Sequence, residues 1–285
     1  MSGNTFSQVG ICGSGTMGAG LTEVVARAGI DVIVCSRTQG GAETMLSTVT
    51  SNLAKHVARG RLSEDEMLSA ISRVRVTSLL TELASCDLII ESIVEDIDAK
   101  KRLFAELDLT VNKLAILATN TSTLAVIEMA RMTNRPDQVC GLHFFNPAVV
   151  MPLVEIIKPI TASDATIARV ADFVSTLGKE GVHVADRAGF IVNALLFPYL
   201  NNAVRMFEAG TASMQDIDTA MMGGCNFPMG PFALLDLVGL DTSVSILDAL
   251  YAEFNDDNYR TQPRLRQLVA EGKLGRKSGQ GFYTY

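Results

Sequence analysis

The segment Gly13-Ser14-Gly15-Thr16-Met17-Gly18 stands between a short β-rich run, Val9 to Cys12, and an amphipathic stretch whose apolar face is Leu21, Val24, Val25 and Ala28. Three glycines at this spacing, entering from a strand and leaving into a helix, constrain the fold more than any other feature of the chain. Gly13 permits a tight turn, Gly15 lets the backbone approach a pyrophosphate, and Gly18 lets helix pack on strand. The helix N-terminus adds N–H donors and the positive end of a dipole, so the loop reads as a dinucleotide site rather than a merely structural turn.

The pattern that follows is β-strand and helix in alternation. Strands are expected at Val9 to Cys12, Asp31 to Cys35, Val74 to Thr77, Asp87 to Glu91, Ala115 to Thr119, Val139 to Phe144, Leu153 to Ile157 and Gly181 to Ala185. Helices fall between them, at about Thr16 to Ala28, Lys100 to Leu107 and Asp164 to Leu177. This alternation predicts an α/β fold, a Rossmann-type, mostly parallel sheet covered by helices. Between the second and third strands, Gly41 to Arg73 reads as an inserted helical hairpin outside the sheet, broken at Gly60 and restarted by the capping box Ser63-Glu64-Asp65-Glu66. After Ala188 strand patterns stop, and helices follow at about 188–209, 213–222, 231–238, 242–254 and 264–271. The expected division is a dinucleotide-binding domain over 1–187 and an all-helical C-terminal domain over 188–285.

In 285 residues, 24 Lys and Arg face 31 Asp and Glu, a net charge of -7 that argues against a nucleic-acid partner. The five cysteines are scattered and never form C-x-x-C, so neither a disulfide framework nor a metal site is indicated. No apolar run approaches the ~18 residues of a membrane span, and Met1 to Ser7 lacks the pattern of a signal peptide. The expectation is a cytoplasmic protein with no membrane partner.

A site for NAD(H) usually has Asp or Glu at the end of the second strand, where the carboxylate bonds the adenosine ribose hydroxyls. This chain has Cys35-Ser36-Arg37-Thr38 there. A ribose 2′-phosphate would be repelled by a carboxylate but bound by the two-pronged guanidinium of Arg37. Ser36 and Arg37 therefore favour NADP(H) over NAD(H); the alternative is an exposed strand-end arginine in a site that takes NAD(H).

Oxidising an alcohol with a nicotinamide removes a proton as well as a hydride, and histidine is the side chain suited to taking it near neutral pH. Among three histidines, His143 ends a strand, where ligands bind in open α/β sheets, whereas His56 and His183 look structural or solvated. Glu155 lies amid Leu153, Val154, Ile156 and Ile157. A buried carboxylate needs a partner, and His143 is the natural one. Asn120-Thr121-Ser122 brings amide and hydroxyl groups to the same sheet edge, or forms an ordinary turn and cap. Asn193, in the apolar run Phe190 to Leu196, bonds backbone or faces a cleft. Lys55, Arg59 and Arg61 on the hairpin form a small basic cluster suited to an anionic substrate group, or a solvated helix face.

Together these motifs resemble the L-3-hydroxyacyl-CoA dehydrogenase family, especially its short 3-hydroxybutyryl-CoA members. The likeness rests on Gly13 to Gly18, Ile93-Val94-Glu95, Thr119 to Ser122, Gly141 to Pro147, Val154-Glu155, Gly189 to Asn193, Pro228 to Pro231, Gly239-Leu240-Asp241 and Gly275 to Gly279, and covers nearly the whole chain. It implies that His143 is the acid/base on the 3-oxygen, Glu155 its orienting partner, and Ser122 and Asn193 substrate-binding groups. It also implies that Glu95, Lys100, Asn146 and Lys277 surround the dinucleotide, that the hairpin, with Asn52 and Arg59, holds the phosphorylated end of coenzyme A, and that the helical domain makes a homodimer. The expected reaction interconverts a short (S)-3-hydroxyacyl-CoA and its 3-ketoacyl-CoA. The alternatives are a relative acting on a carrier-protein thioester or a sugar acid, and a non-catalytic dinucleotide-binding protein.

Overall fold

Runs of apolar residues with few interruptions build the sheet, as expected for strands covered on both faces. In the computed structural model, which describes residues 6–285, these are β1 (Gln8–Cys12), β2 (Asp31–Cys35), β3 (Val74–Thr77), β4 (Leu88–Glu91), β5 (Ile116–Thr119), β6 (Val139–Phe144), β7 (Leu153–Lys158) and β8 (Glu180–Ala185). They form one sheet in the order β3-β2-β1-β4-β5-β6-β7-β8. The first six run parallel, β7 turns antiparallel to β6, and β8 pairs parallel with β7. Strand order reverses at β1, whose last residue, Cys12, pairs with Cys35 of β2 on one side and Glu91 of β4 on the other. A crevice at the carboxyl ends of strands at such a reversal is where α/β sheets bind ligands.

Helices α1 (Thr16–Arg27), α2 (Gln39–Ala58), α3 (Glu64–Ser72), α4 (Ile97–Thr110), α5 (Val126–Ala130) and α6 (Asp164–Thr176) complete this unit, which ends at Asp186. The hairpin α2–α3 lies outside the sheet, as expected, and packs on it through an apolar stripe. Ala42, Met45, Val49 and Leu53 make one helical stripe, all are buried, and the last three join the core that contains α1 and the strands. Charge also ties it down: His56 Nε2 lies 3.2 Å from Glu23 Oε1 on α1, where burial pushes the Glu23 carboxyl up against the opposing pull of His56 and Arg27. Ser63 and Glu66 form the capping box that restarts the chain as α3.

The second unit, Arg187–Tyr285, consists of α7 (Val192–Glu208), α8 (Met214–Cys225), α9 (Pro231–Val238), α10 (Leu240–Phe254) and α11 (Pro263–Ala270), around a core including Phe197, Leu200, Phe232, Leu235, Leu247 and Leu250. Its first helix starts at Val192 rather than at Ala188. Gly189 at φ +73° and Phe190 at φ +50° adopt left-handed backbone, which a helix cannot continue. For a bulky, buried residue such as Phe190 this costs about 1–3 kcal/mol.

Two isolated bridges, Gly275 with Gln280 and Gln280 with Thr284, fold the tail back on itself. Buried Asp236 of α9 anchors that tail, accepting the N–H groups of Phe282 and Tyr283 at 2.8 Å each and the Tyr285 hydroxyl at 3.2 Å. Asp236→Ala is expected to destabilise the protein by about 3 kcal/mol, because two inward-facing N–H groups lose a charged acceptor. A chemical-denaturation midpoint equal to that of the parent protein would contradict this.

Candidate dinucleotide and proton-transfer site

The glycine loop is set by close approach. A Cβ on Gly13, at φ +124°, would lie 2.2 Å from the Ser92 carbonyl oxygen, and one on Gly18 would lie 2.1 Å from the Gly13 carbonyl oxygen. At Gly15 a Cβ would meet nothing within 4 Å, so the missing side chain leaves open space above the backbone. Gly15 is the N-cap of α1, which has neither a side-chain cap nor an acid in its first turn. An open, uncapped helix start without negative charge fits a pyrophosphate.

At the end of β2 the Ser36 Oγ lies 2.9 Å from the Ser14 Oγ, joining strand end to loop. Arg37 is exposed beside it, and Thr38 accepts the Gly41 N–H to cap α2. Asp31 stands at the opposite end of β2, paired with Arg73 at 3.3 Å.

His143 and Glu155 are register partners on the antiparallel pair β6–β7. Cross-strand neighbours point to the same face, and here His143 Nδ1 lies 2.7 Å from Glu155 Oε2. Glu155 is fully buried, His143 is 4% exposed, and the Phe145 ring packs on the imidazole with centroids 4.5 Å apart. The exit of β5 is tied to this strand end, because Asn120 Oδ1 accepts the Phe144 N–H at 2.8 Å. Ser122, two residues on, therefore sits in a loop anchored beside the end of β6. Its N–H donates to Glu95 Oε1 at 2.8 Å, and the Thr121 hydroxyl donates to the same oxygen at 2.5 Å.

The other expected residues fall into three groups. Asn146 is exposed in the loop after β6, a loop held by Lys179, which donates to the carbonyls of Ala148 and Met151. Lys100, by contrast, is 1% exposed, its ammonium between Glu91 and Glu95. Asn52 is half-buried on α2, while Lys55 and the C-capping Arg59 are exposed. At ~1.5 Å per residue, Lys55 lies about 25 Å along the helix from Thr38, a span that only an extended ligand crosses. Asn193 and Lys277 belong to the second unit: Asn193 is buried in the first turn of α7, and Lys277 donates to Asp241 at 2.7 Å.

Sequence reasoning passed over Glu91. It is fully buried and accepts from Ile93 N–H, Lys100 Nζ and Thr119 Oγ1 at 2.7, 2.6 and 2.7 Å. The signal was available, since an acid closing the apolar run Leu88-Ile89-Ile90 must find partners when buried.

Residues 8–187 match the family described as 3-hydroxyacyl-CoA dehydrogenase, NAD binding domain, and residues 189–285 match its C-terminal domain. The chain is 43% identical over 284 residues to a 3-hydroxybutyryl-CoA dehydrogenase of Mycobacterium tuberculosis, covering 99% of each protein. It is 42% identical over 278 residues to that of Clostridioides difficile, covering 98% of this chain and 99% of the other. The crystal structure of the (S)-3-hydroxybutyryl-CoA dehydrogenase of Ralstonia eutropha superposes with a TM-score of 0.95 at 38% identity, over 98% of this chain and 99% of that one. A glycine loop at the sheet's reversal point, a buried histidine–carboxylate pair and matches across both units lead to one assignment: the chain belongs to the 3-hydroxyacyl-CoA dehydrogenase family and is an oxidoreductase.

Proposed function

We propose that this enzyme interconverts a short (S)-3-hydroxyacyl-CoA, with 3-hydroxybutyryl-CoA as the reference substrate, and the corresponding 3-ketoacyl-CoA. The observation that carries the reading is the buried pair of His143 Nδ1 and Glu155 Oε2 at 2.7 Å, placed at the carboxyl end of β6 in a dinucleotide-binding sheet. A bound nicotinamide supplies or accepts the hydride at C3. His143 handles the proton on the 3-oxygen. With Glu155 accepting from Nδ1, Nε2 is the nitrogen that takes the hydroxyl proton in oxidation and returns it in reduction. Glu155 holds the ring orientation and stabilises the imidazolium, while Ser122 and Asn193 bind the reacting end of the substrate. Lys55, Arg59 and Asn52 take the phosphorylated end of coenzyme A. Loss of nicotinamide absorbance on addition of acetoacetyl-CoA tests the proposal; dinucleotide binding without turnover would overturn it.

The proposed cofactor preference is NADP(H). Its support is an exposed Arg37 beside the Ser14–Ser36 hydroxyl pair, with no acid at the end of β2. A charge-assisted bond to a phosphate is worth about 1.5–3 kcal/mol, so Arg37→Ala is expected to cut kcat/KM for NADPH by roughly 10–100-fold and to spare NADH. A strong preference of the parent enzyme for NADH would contradict this.

The proposed setting is a cytoplasmic homodimer assembled through the helical unit. Exposed apolar side chains there, among them Leu195, Met206, Met222 and Leu237, support the dimer. Four of the five cysteines are buried as free thiols, and among the described residues no helix is long and apolar enough to cross a membrane.

A further inference from the structure

We propose that Glu91 is a positioning residue for the substrate loop: it fixes Lys100, through Lys100 it fixes Glu95, and through Glu95 it sets the backbone of Ser122. The inference rests on the reading of Ser122 as a substrate-binding group.

Glu91 closes β4, where its register partners are Cys12 of β1 and Thr119 of β5. Its carboxylate is fully buried, a state that is costly unless each oxygen is engaged. Oε1 accepts from Lys100 Nζ at 2.6 Å and from the Ile93 N–H at 2.7 Å, and Oε2 accepts from the Thr119 hydroxyl at 2.7 Å. Two arms leave this centre. In the charged arm, Lys100 reaches up from the first turn of α4 and its ammonium also lies 3.2 Å from Glu95 Oε2. The other oxygen of Glu95 accepts from the Thr121 hydroxyl, the Ser122 N–H and the Thr123 N–H. In the neutral arm, Thr119 Oγ1 accepts the Thr121 N–H at 3.2 Å. Both arms reach Thr121, and the charged arm alone goes on to Ser122.

The magnitudes favour Glu91 as the anchor over Glu95. The Glu95 side chain is 40% exposed, so water weakens its hold on the ammonium, whereas Glu91 and Lys100 are both out of water. Cut off from water, the Lys100 ammonium depends on the Glu91 carboxylate for its shortest hydrogen bond, at 2.6 Å. Removing the Glu91 charge therefore releases Lys100, and with it the orientation of Glu95. Fold maintenance alone needs no chain of bonds running out to a loop at the sheet edge.

The test is Glu91→Gln, which keeps the shape and an acceptor oxygen but not the charge. Expected is a fall in kcat for acetoacetyl-CoA at saturating dinucleotide of about tenfold or more, as for a group displaced by a fraction of an ångström, whereas a merely structural role would leave kcat of the folded variant unchanged. A fall in Tm with kcat unchanged at a temperature where the variant is folded would overturn the proposal. So would a change confined to the dinucleotide Kd. Should Glu91→Gln fail to fold, Lys100→Gln cuts the charged arm between Glu91 and Glu95 while keeping a donor for Glu91; a lower kcat at saturating dinucleotide is expected, and an unchanged kcat overturns the proposal. The parent enzyme's turnover of acetoacetyl-CoA tests the functional reading separately: if it turns over and these variants match it, only the role of Glu91 fails.

Discussion

Replacing His143 by Gln is expected to lower kcat for acetoacetyl-CoA by about 10²–10⁴-fold, with the dinucleotide Kd within about threefold of the parent value. The size follows from the loss of positioned acid/base catalysis, and the selectivity from geometry. His143 belongs to β6, four strands' width from β2 in the sheet order, so the Ser14–Ser36 contact and the loop at Gly13 to Gly18 do not depend on its ring. Gln is the informative replacement because its amide fills much of the same volume and donates to Glu155, which keeps that buried carboxylate paired. Alanine would take a buried partner away from that carboxylate, at a cost of about 3–5 kcal/mol, and would mix folding with chemistry. Single-turnover measurement at saturating dinucleotide separates the two, and a parent-like rate would remove His143 from the mechanism.

The second large effect is expected at Glu155. Glu155→Gln preserves the cross-strand packing of β7 on β6 but exchanges a carboxylate for a neutral amide 2.7 Å from Nδ1. The imidazolium then loses its counter-charge and the ring loses the group that selects its tautomer. On the order of 10²–10³-fold in kcat should be lost, with KM for the thioester little changed, because the interaction strengthens only as the ring takes up the proton. A rise in KM with kcat intact would instead make Glu155 a binding residue.

The contact between His143 and Glu155 was legible because an acid inside an apolar strand, one connection away from a strand-end histidine, has few other places to put its charge. The sheet was legible for a similar reason: its strands are short apolar runs separated by helical stretches or polar connections, and that alternation survives any tertiary arrangement. Features set by tertiary contact were not. Met45, Val49 and Leu53 form a helical stripe in the sequence, yet nothing local says that the stripe packs in the sheet core instead of standing apart. The late start of α7 depends on Phe190 holding a left-handed backbone that its own preferences oppose. Glu91 and Lys100, nine residues apart, meet only because β4 and α4 are folded back on each other. Arg37 illustrates the remaining kind of limit, since its charge and place were readable while the ligand group it selects depends on what binds there.

Whether His143 moves the proton in a 3-hydroxyacyl-CoA dehydrogenation is decided by the reaction of acetoacetyl-CoA with each reduced nicotinamide dinucleotide, followed by absorbance and by chiral analysis of the product, in the parent enzyme and in His143→Gln. Expected are (S)-3-hydroxybutyryl-CoA from the parent enzyme, faster with NADPH than with NADH, and loss of at least about 10²-fold in kcat in the variant with thioester binding retained. Dinucleotide binding without turnover in the parent enzyme, or equal turnover in the variant, would contradict this.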